Sequence, residues 1–375
     1  MNKWTYTTLG KISEIITGPF GSQLHQSDYV EQGIPVVMPQ DIDNRRVNYA
    51  SINYVSNEDA IRLERYKTII NDILYARRGD VEKHAFIKEK DNGVLCGTGC
   101  LRVRITTSEV EPEFISFFLN REETRKWLVT HAVGTNMPNL NTDILSGIPI
   151  AYPLLEEQRK IVQVLNSLDE KIALNSALND NLEQQIKTIF TFQFLQNANT
   201  EWKQQSLAEL SEMYQPKTIS GKDLIADGNY FVYGANGIIG KYNQYNHSES
   251  EIAVACRGAS CGSIQMTLPF SWITGNAMVV KPHSDFPYRE YLYYYLLAKN
   301  PNYLCSGSAQ PQLTRENLTL YSLKVPSTTE LNAFESYAEK VRKIIIKNQQ
   351  ENIELSTLRD WLLPMLMNGQ ATISD

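Results

Sequence analysis

The sequence has little of what marks a membrane protein, a disulfide scaffold or a self-contained enzyme. No apolar run reaches the roughly 20 residues that a membrane span needs, and the first twenty residues carry no charged-then-apolar leader. No membrane association is expected, and a cytoplasmic location is. Cysteine is scarce: five residues, Cys96, Cys100, Cys256, Cys261 and Cys305, scattered along the chain. An odd, dispersed set argues against a disulfide framework and for a reducing compartment. The pairs Cys96/Cys100 and Cys256/Cys261 lack further ligands at zinc-finger spacing, so buried thiols are expected rather than a metal. The five histidines, His25, His84, His131, His247 and His283, are equally dispersed. Positive charge is also short. Lys and Arg total 36 against 42 Asp and Glu, a net charge of −6. A nucleic-acid role would then need local basic clusters, or basic partners that supply phosphate contacts.

Motifs for catalysis are missing as well. The nearest approach to a phosphate loop, Gly234–Tyr242 (GANGIIGKY), is one residue too long before its Gly-Lys, and Tyr242 stands where a magnesium-binding hydroxyl belongs. It reads as a β-turn. No Gly-rich strand–helix fingerprint for a nucleotide appears. Asp169-Glu170-Lys171 fits a loose nuclease pattern but lies in a helical stretch and reads as a solvated face. No cofactor and no resident catalytic group are expected.

What the chain does contain is a repeat of itself. Aligning Met137–Leu140 (MPNL) on Gln310–Leu313 (QPQL) without a gap places Gly134 on Gly307, Leu145 on Leu318 and Pro153 on Pro326. The match runs on into two polar stretches, about 154–196 and 327–363, that carry a heptad seam. The first seam is Ile161, Leu165, Leu168, Ile172, Asn175, Asn179, Leu182, Ile186 and Ile189. The second is Phe334, Ala338, Val341, Ile345, Asn348, Asn352, Leu355, Arg359 and Leu362. Both place Asn at two consecutive seam positions. Apolar residues would pack better there, so paired amides point to control of register and partner at a cost in stability. Each helix of about forty residues would be about 60 Å long. Pro153 and Pro326 sit before the helices, and Pro364 with Gly369 should end the second.

The segments before the helices correspond more loosely. Leu9–Glu14 (LGKISE) resembles Leu207–Glu212 (LAELSE), and Asp72–Gly79 (DILYARRG) resembles Glu251–Gly258 (EIAVACRG). Both of the latter read as a strand running into an Arg-Gly turn. The tyrosine-rich stretch Tyr288–Tyr295 has the helical spacing of core-facing aromatics rather than of a base-stacking platform.

The expected architecture is α+β: two sheet-containing domains separated by two long antiparallel, coiled-coil-like helices, with an internal pseudo-two-fold repeat. The divisions are residues 1–153, a first helix at 154–197, 198–326, and a second helix with tail at 327–375. Symmetric DNA-binding dimers mirror their symmetry in their operators. A fused and diverged pair would read two unequal half-sites with an unread gap, whose length the helices set. A pseudo-two-fold rod also offers two near-equivalent docking sites for one kind of partner.

At this point the chain resembles the specificity subunits of type I restriction–modification enzymes, over essentially its whole length. The resemblance rests on Gly18–Leu24 (GPFGSQL), Gly33–Ile42 (GIPVVMPQDI), Cys96–Cys100 (CGTGC), Met137–Leu140, Ile148–Pro153 and Glu156–Gln158 in the first half. In the second half it rests on Tyr233–Gly240 (YGANGIIG) and Ala255–Gly262 (ACRGASCG). The second helix departs from the pattern, beginning Ser327–Glu330 (STTE) without the Glu-Glu-Gln wording. The resemblance implies two target-recognition domains that bind double-stranded DNA, a complex with two methyltransferase subunits and, for cleavage, restriction subunits that translocate DNA. Catalysis would reside in those partners.

Base and phosphate contacts call for Arg, Lys, Asn, Gln and hydroxyl side chains on turns beside strands. In the first domain the candidates are Ser22, Gln23, Gln40, Asp41, Arg45, Arg46, Arg77, Arg78, Lys83 and Thr98. In the second they are Lys217, Asn236, Lys241, Arg257, Ser260, Ser263, Thr274 and Asn276. Arg77, Arg78 and Arg257 stand out because both halves put arginine before a glycine after a strand, although structural salt bridges compete for such residues. Gln310, Gln312 and Arg315 lie near a domain–helix junction and could support its turn. Two other readings stay open: an interaction scaffold whose end domains grip proteins, and an enzyme with a site spread over both domains.

Overall fold

The computed structural model describes residues 4–134, 138–307 and 311–373. Internal contacts divide it into two compact units, 1–172 with 354–375, and 173–353. The division falls inside the two long helices, Leu155–Phe190 and Thr328–Met367, so each unit contains a segment of both.

The first unit is built on a four-stranded sheet in the order Ser13–Thr17, Cys100–Ile105, Ile73–Ala76, His84–Phe86. Its central strands are buried on both faces, which is why ILYA reads as a continuous apolar run. In CLRV the run is interrupted by Arg102, which is buried against Glu14 and Asp72. A second sheet joins Leu95–Cys96 in parallel to Ile34–Val37, with Asn53–Val55 and Tyr29–Val30 beyond. A two-stranded ribbon pairs Thr5–Thr8 with Pro149–Tyr152. Phe114, Phe117 and Phe118 of the helix Pro112–Leu119 fill the core, together with Ile161, Leu165, Leu363 and Leu366 from the long helices.

The second unit repeats this plan. Its four-stranded sheet runs Ser211–Tyr214, Ala277–Pro282, Ile252–Ala255, Ile264–Met266. Trp272–Ile273 lies parallel to Tyr230–Gly234, and Lys203–Ser206 pairs with Ser322–Val325. One strand differs in kind. Gly237–Tyr242 folds back on Tyr230–Gly234 as a hairpin, where the first unit inserts the strand Asn53–Val55 and the small ribbon Ile42–Asp43/Arg46–Val47. GANGIIGKY is thus a β-turn and its following strand. The helix Arg289–Ala298 buries Tyr291 and Tyr294 against Phe190 and Phe334, the core role that its spacing requires.

The helix starts are secured in two ways. Gln158 is fully buried: its amide donates to the carbonyls of Glu109 and Pro153, and its oxygen accepts from the Glu111 N–H. Where the repeat puts Leu331 in place of that glutamine, Ser327 and Glu330 form a reciprocal cap instead. This explains the departure at STTE. Pro364 does not end the second helix, contrary to the expectation. The helix runs on to Met367, because a proline near a C-terminus forfeits only one of the last hydrogen bonds. Gly369, at φ +69°, follows the helix end.

The cysteine expectation needs one correction. Cys96, Cys100 and Cys256 are free and buried, and burial pushes the Cys96 thiol up to about 12. Cys261 and Cys305 are joined by a disulfide. Spacing hid this partnership, because Cys305 arrives on a loop 44 residues further along the chain.

Candidate nucleic-acid interface

In the first unit five loops are stitched together beyond the sheets. The Gly97 N–H donates to the Val37 carbonyl at 3.0 Å, and the Arg77 N–H to the Gly99 carbonyl at 2.7 Å. Leu140 N–H reaches the Arg77 carbonyl at 2.8 Å, and Gly79 N–H the Pro138 carbonyl at 3.3 Å. Gly18 closes the group. A Cβ there would lie 2.1 Å from the Gly97 carbonyl oxygen, so only glycine lets these two backbones approach. Arg77, Arg78 and Thr98 belong to this cluster, and Gln40, exposed, follows it at the end of the strand Ile34–Val37.

The second unit repeats the stitching with other residues. Cys256 N–H donates to the Asn276 carbonyl, Leu313 N–H to the Cys256 carbonyl, Gly258 N–H to the Pro311 carbonyl and Thr274 N–H to the Tyr233 carbonyl. Trp272 Nε1 donates to the Lys217 carbonyl. Arg257, Asn276, Lys217 and the hairpin turn with Asn236 are brought to one region, and all four residues are exposed. Ser260 and Ser263 stand on the neighbouring turn, where the Ser263 N–H bonds the Ser260 carbonyl. Lys241 lies over the Phe231 ring at 5.6 Å.

Several sequence candidates are committed elsewhere. Arg45 is the clearest correction. Its side chain is 8% exposed, pairs with Asp169 at 3.0 Å and Glu113 at 3.6 Å, bonds Ser116 Oγ and stacks on Phe117. Asn44 and Arg45 both take left-handed backbone angles, which turn the small ribbon so that this arginine points inward. Burial brings the guanidinium down to about 10 against the pull of Asp169 and Glu113. Arg46 donates to the Asp169 carbonyl. Asp169 also receives Arg359, so within DEK the aspartate is committed to ion pairs, while Glu170 and Lys171 are exposed as expected of a solvated face. Asp41 is buried and accepts from the Met38 N–H, closing its own turn. Thr274 is buried too. Gln23 uses its side-chain oxygen on Phe20 N–H and Tyr66 OH, and Lys83 pairs with Asp80. Ser22 is exposed on the first loop. Gln310 lies outside the described residues.

Of the three histidines in the first unit, His84 is likewise structural. It stacks on Tyr75, bonds Ser116, and is held neutral by burial, which brings its pKa down to about 3. Sequence reasoning overlooked Asn139. It bridges Val133 and Arg78 as Gln312 bridges Ser306 and Arg257, and the repeat alignment already placed the two at equivalent positions.

The seam asparagines meet in the second unit. Asn175 Nδ2 donates to Asn352 Oδ1 at 3.0 Å and to Glu351, and Asn348 Nδ2 to Asn179 Oδ1 at 2.8 Å. Asn179 Nδ2 reaches the Ile345 carbonyl and Asn352 Nδ2 the Ser176 hydroxyl. The order of these pairs makes the two segments antiparallel.

The Type I restriction modification DNA specificity domain family matches residues 1–184 and 199–356. A putative type I restriction enzyme MjaX specificity subunit of Methanocaldococcus jannaschii is 21% identical, over 99% of this chain and 94% of its own. The HindI specificity subunit of Haemophilus influenzae is 24% identical, over 59% of this chain and 48% of its own. The solved type I restriction–modification S subunit from M. genitalium superposes with a TM-score of 0.65 at 17% identity, covering 97% of this chain and 96% of the other. That structural likeness speaks to the fold.

Proposed function

The chain belongs to the type I restriction–modification DNA specificity family and is its non-catalytic sequence-recognition subunit, and on that premise we propose that each unit reads one half of a bipartite, asymmetric duplex site. The observation that carries this is the duplicated loop cluster. The same strands, in the same pairing, hold an Arg-Gly turn against a returning loop in both units, while the side chains around them differ. A duplicated frame with unlike contents suits two unlike half-sites. The long helices fix the unread gap, and their outer faces take up two methyltransferase subunits. Restriction subunits join for cleavage, and methylation and cleavage are the work of these partners. With a net charge of −6 the chain leaves much of the phosphate neutralisation to them. We place the chain in the cytoplasm with those partners. Among the described residues no helix is long and apolar enough to cross a membrane. A protein-gripping scaffold would give no reason for the family match.

Sequencing of modified adenines in the host genome, with and without this gene, tests the reading. Loss of one bipartite motif is the expected result. An unchanged methylome refutes it.

A further inference from the structure

We propose a division of labour within the interface: Arg78 and Arg257 hold phosphates, equivalent in the two half-sites, and the bases are read by the segments in which the units differ. The inference rests on the DNA-reading function above and assigns roles within it.

Three observations converge on these arginines. First, their backbone frames coincide. Arg78 is bridged antiparallel to Asn139 and Arg257 to Gln312, and the following glycines have φ +76° and +77°. The returning loops are also alike, with Gly134 at +106° and Gly307 at +95°. Second, both side chains are exposed and neither has a hydrogen bond or ion pair among the described residues. Most other arginines are spent internally, as Arg45, Arg102, Arg104, Arg342 and Arg359 show. Third, the equivalence ends where the chain leaves this frame. Between the strand Ile34–Val37 and the strand Ile73–Ala76 the first unit carries the ribbon, an added strand and a helix, Asn57–Arg62. Between Tyr230–Gly234 and Ile252–Ala255 the second carries the hairpin Gly237–Tyr242.

Two unequal half-sites share their sugar–phosphate backbone and differ in their base edges. A contact built identically in both units therefore fits what the half-sites have in common. Discrimination belongs to the unlike insertions, with Gln40 in one unit and Asn236 in the other at their starts.

The test uses the full chain in the assembly it forms in its host. Titrations against the duplex defined by its methylated motif, and against one with both half-sites scrambled, are run over a range of salt. Arg78→Ala and Arg257→Ala should each weaken binding to both duplexes by the same factor. Each should lower the slope of log K against log salt by about 1, and the pair together by about 2. Arg78→Lys and Arg257→Lys should restore slope and affinity, since a phosphate accepts a point charge where a bidentate base contact does not. The methylated motif should be unchanged in all four, and altered at a single half-site by Gln40→Ala. The proposal is overturned if an arginine variant relaxes base preference at its half-site, if lysine fails to rescue, or if a variant with unchanged unfolding temperature keeps full affinity and slope. A wild-type assembly that binds both duplexes equally would instead overturn the DNA-reading function, and this division with it.

Discussion

Arg45 shows how one side chain can be legible in type and illegible in use. Its position in Asp43-Asn44-Arg45-Arg46, a basic turn beside strands, is what a DNA contact looks like in a sequence. The fold instead turns it inward to Asp169 and Glu113, over Phe117. A buried cation with two carboxylates is costly to break, because the partners stay behind without compensation. Arg45→Ala should therefore destabilise the protein by about 3–5 kcal/mol, seen as a lower unfolding temperature of the first unit. Arg46→Ala, whose side chain is exposed, should shift it far less. Equal shifts would mean that the ion-pair cluster does not hold the ribbon. The second unit solves the same problem from the other side: Arg342, on the long helix, inserts toward Glu290 and Glu183 against the Tyr293 ring. Composition offered no way to see which of these arginines faces inward.

Among the elements, the long helices were the most legible and the short strands the least. A heptad seam sustained over several turns announces itself, and its polar interruptions are as informative as its leucines. Asn175 and Asn179 find Asn352 and Asn348, and Arg359 in the seam finds Asp169. Replacing all four asparagines by Leu should keep helicity by circular dichroism and raise the unfolding temperature, since apolar seam residues pack better than amides. It should also loosen control of the gap, so that methylation appears at sites with altered spacing. Unchanged spacing in the methylated motif would remove the register role. The strands are short, two to six residues, and several pair across long stretches of chain, as Thr5–Thr8 with Pro149–Tyr152 does. Local pattern cannot supply such partners. The Cys261–Cys305 bond escaped notice for the same reason.

For the molecule as a whole, the duplication makes a modular prediction. Exchanging residues 1–153 for the corresponding domain of a relative with another target should change one half of the methylated motif and leave the other half and the gap intact. Simultaneous change of both halves would show that the units do not read independently. The units defined by contact also predict that such an exchange works best when Arg45, Arg46, Glu113 and Asp169 are kept compatible. The first domain is bonded to a long-helix segment through those residues.

The sequence by itself determined the repeat, the two helices with their paired asparagines, the α+β class and the family resemblance. All of these are written in periodicities and motifs that survive without knowing which segments touch. Tertiary structure alone decided which polar residues remain available. Arg78 and Arg257 face outward from matched turns, while Arg45, Asp41 and Thr274 turn into the protein. That choice depends on the burial and charge of neighbours brought in from distant parts of the chain, such as Asp169 and Asn139, and no local pattern encodes it.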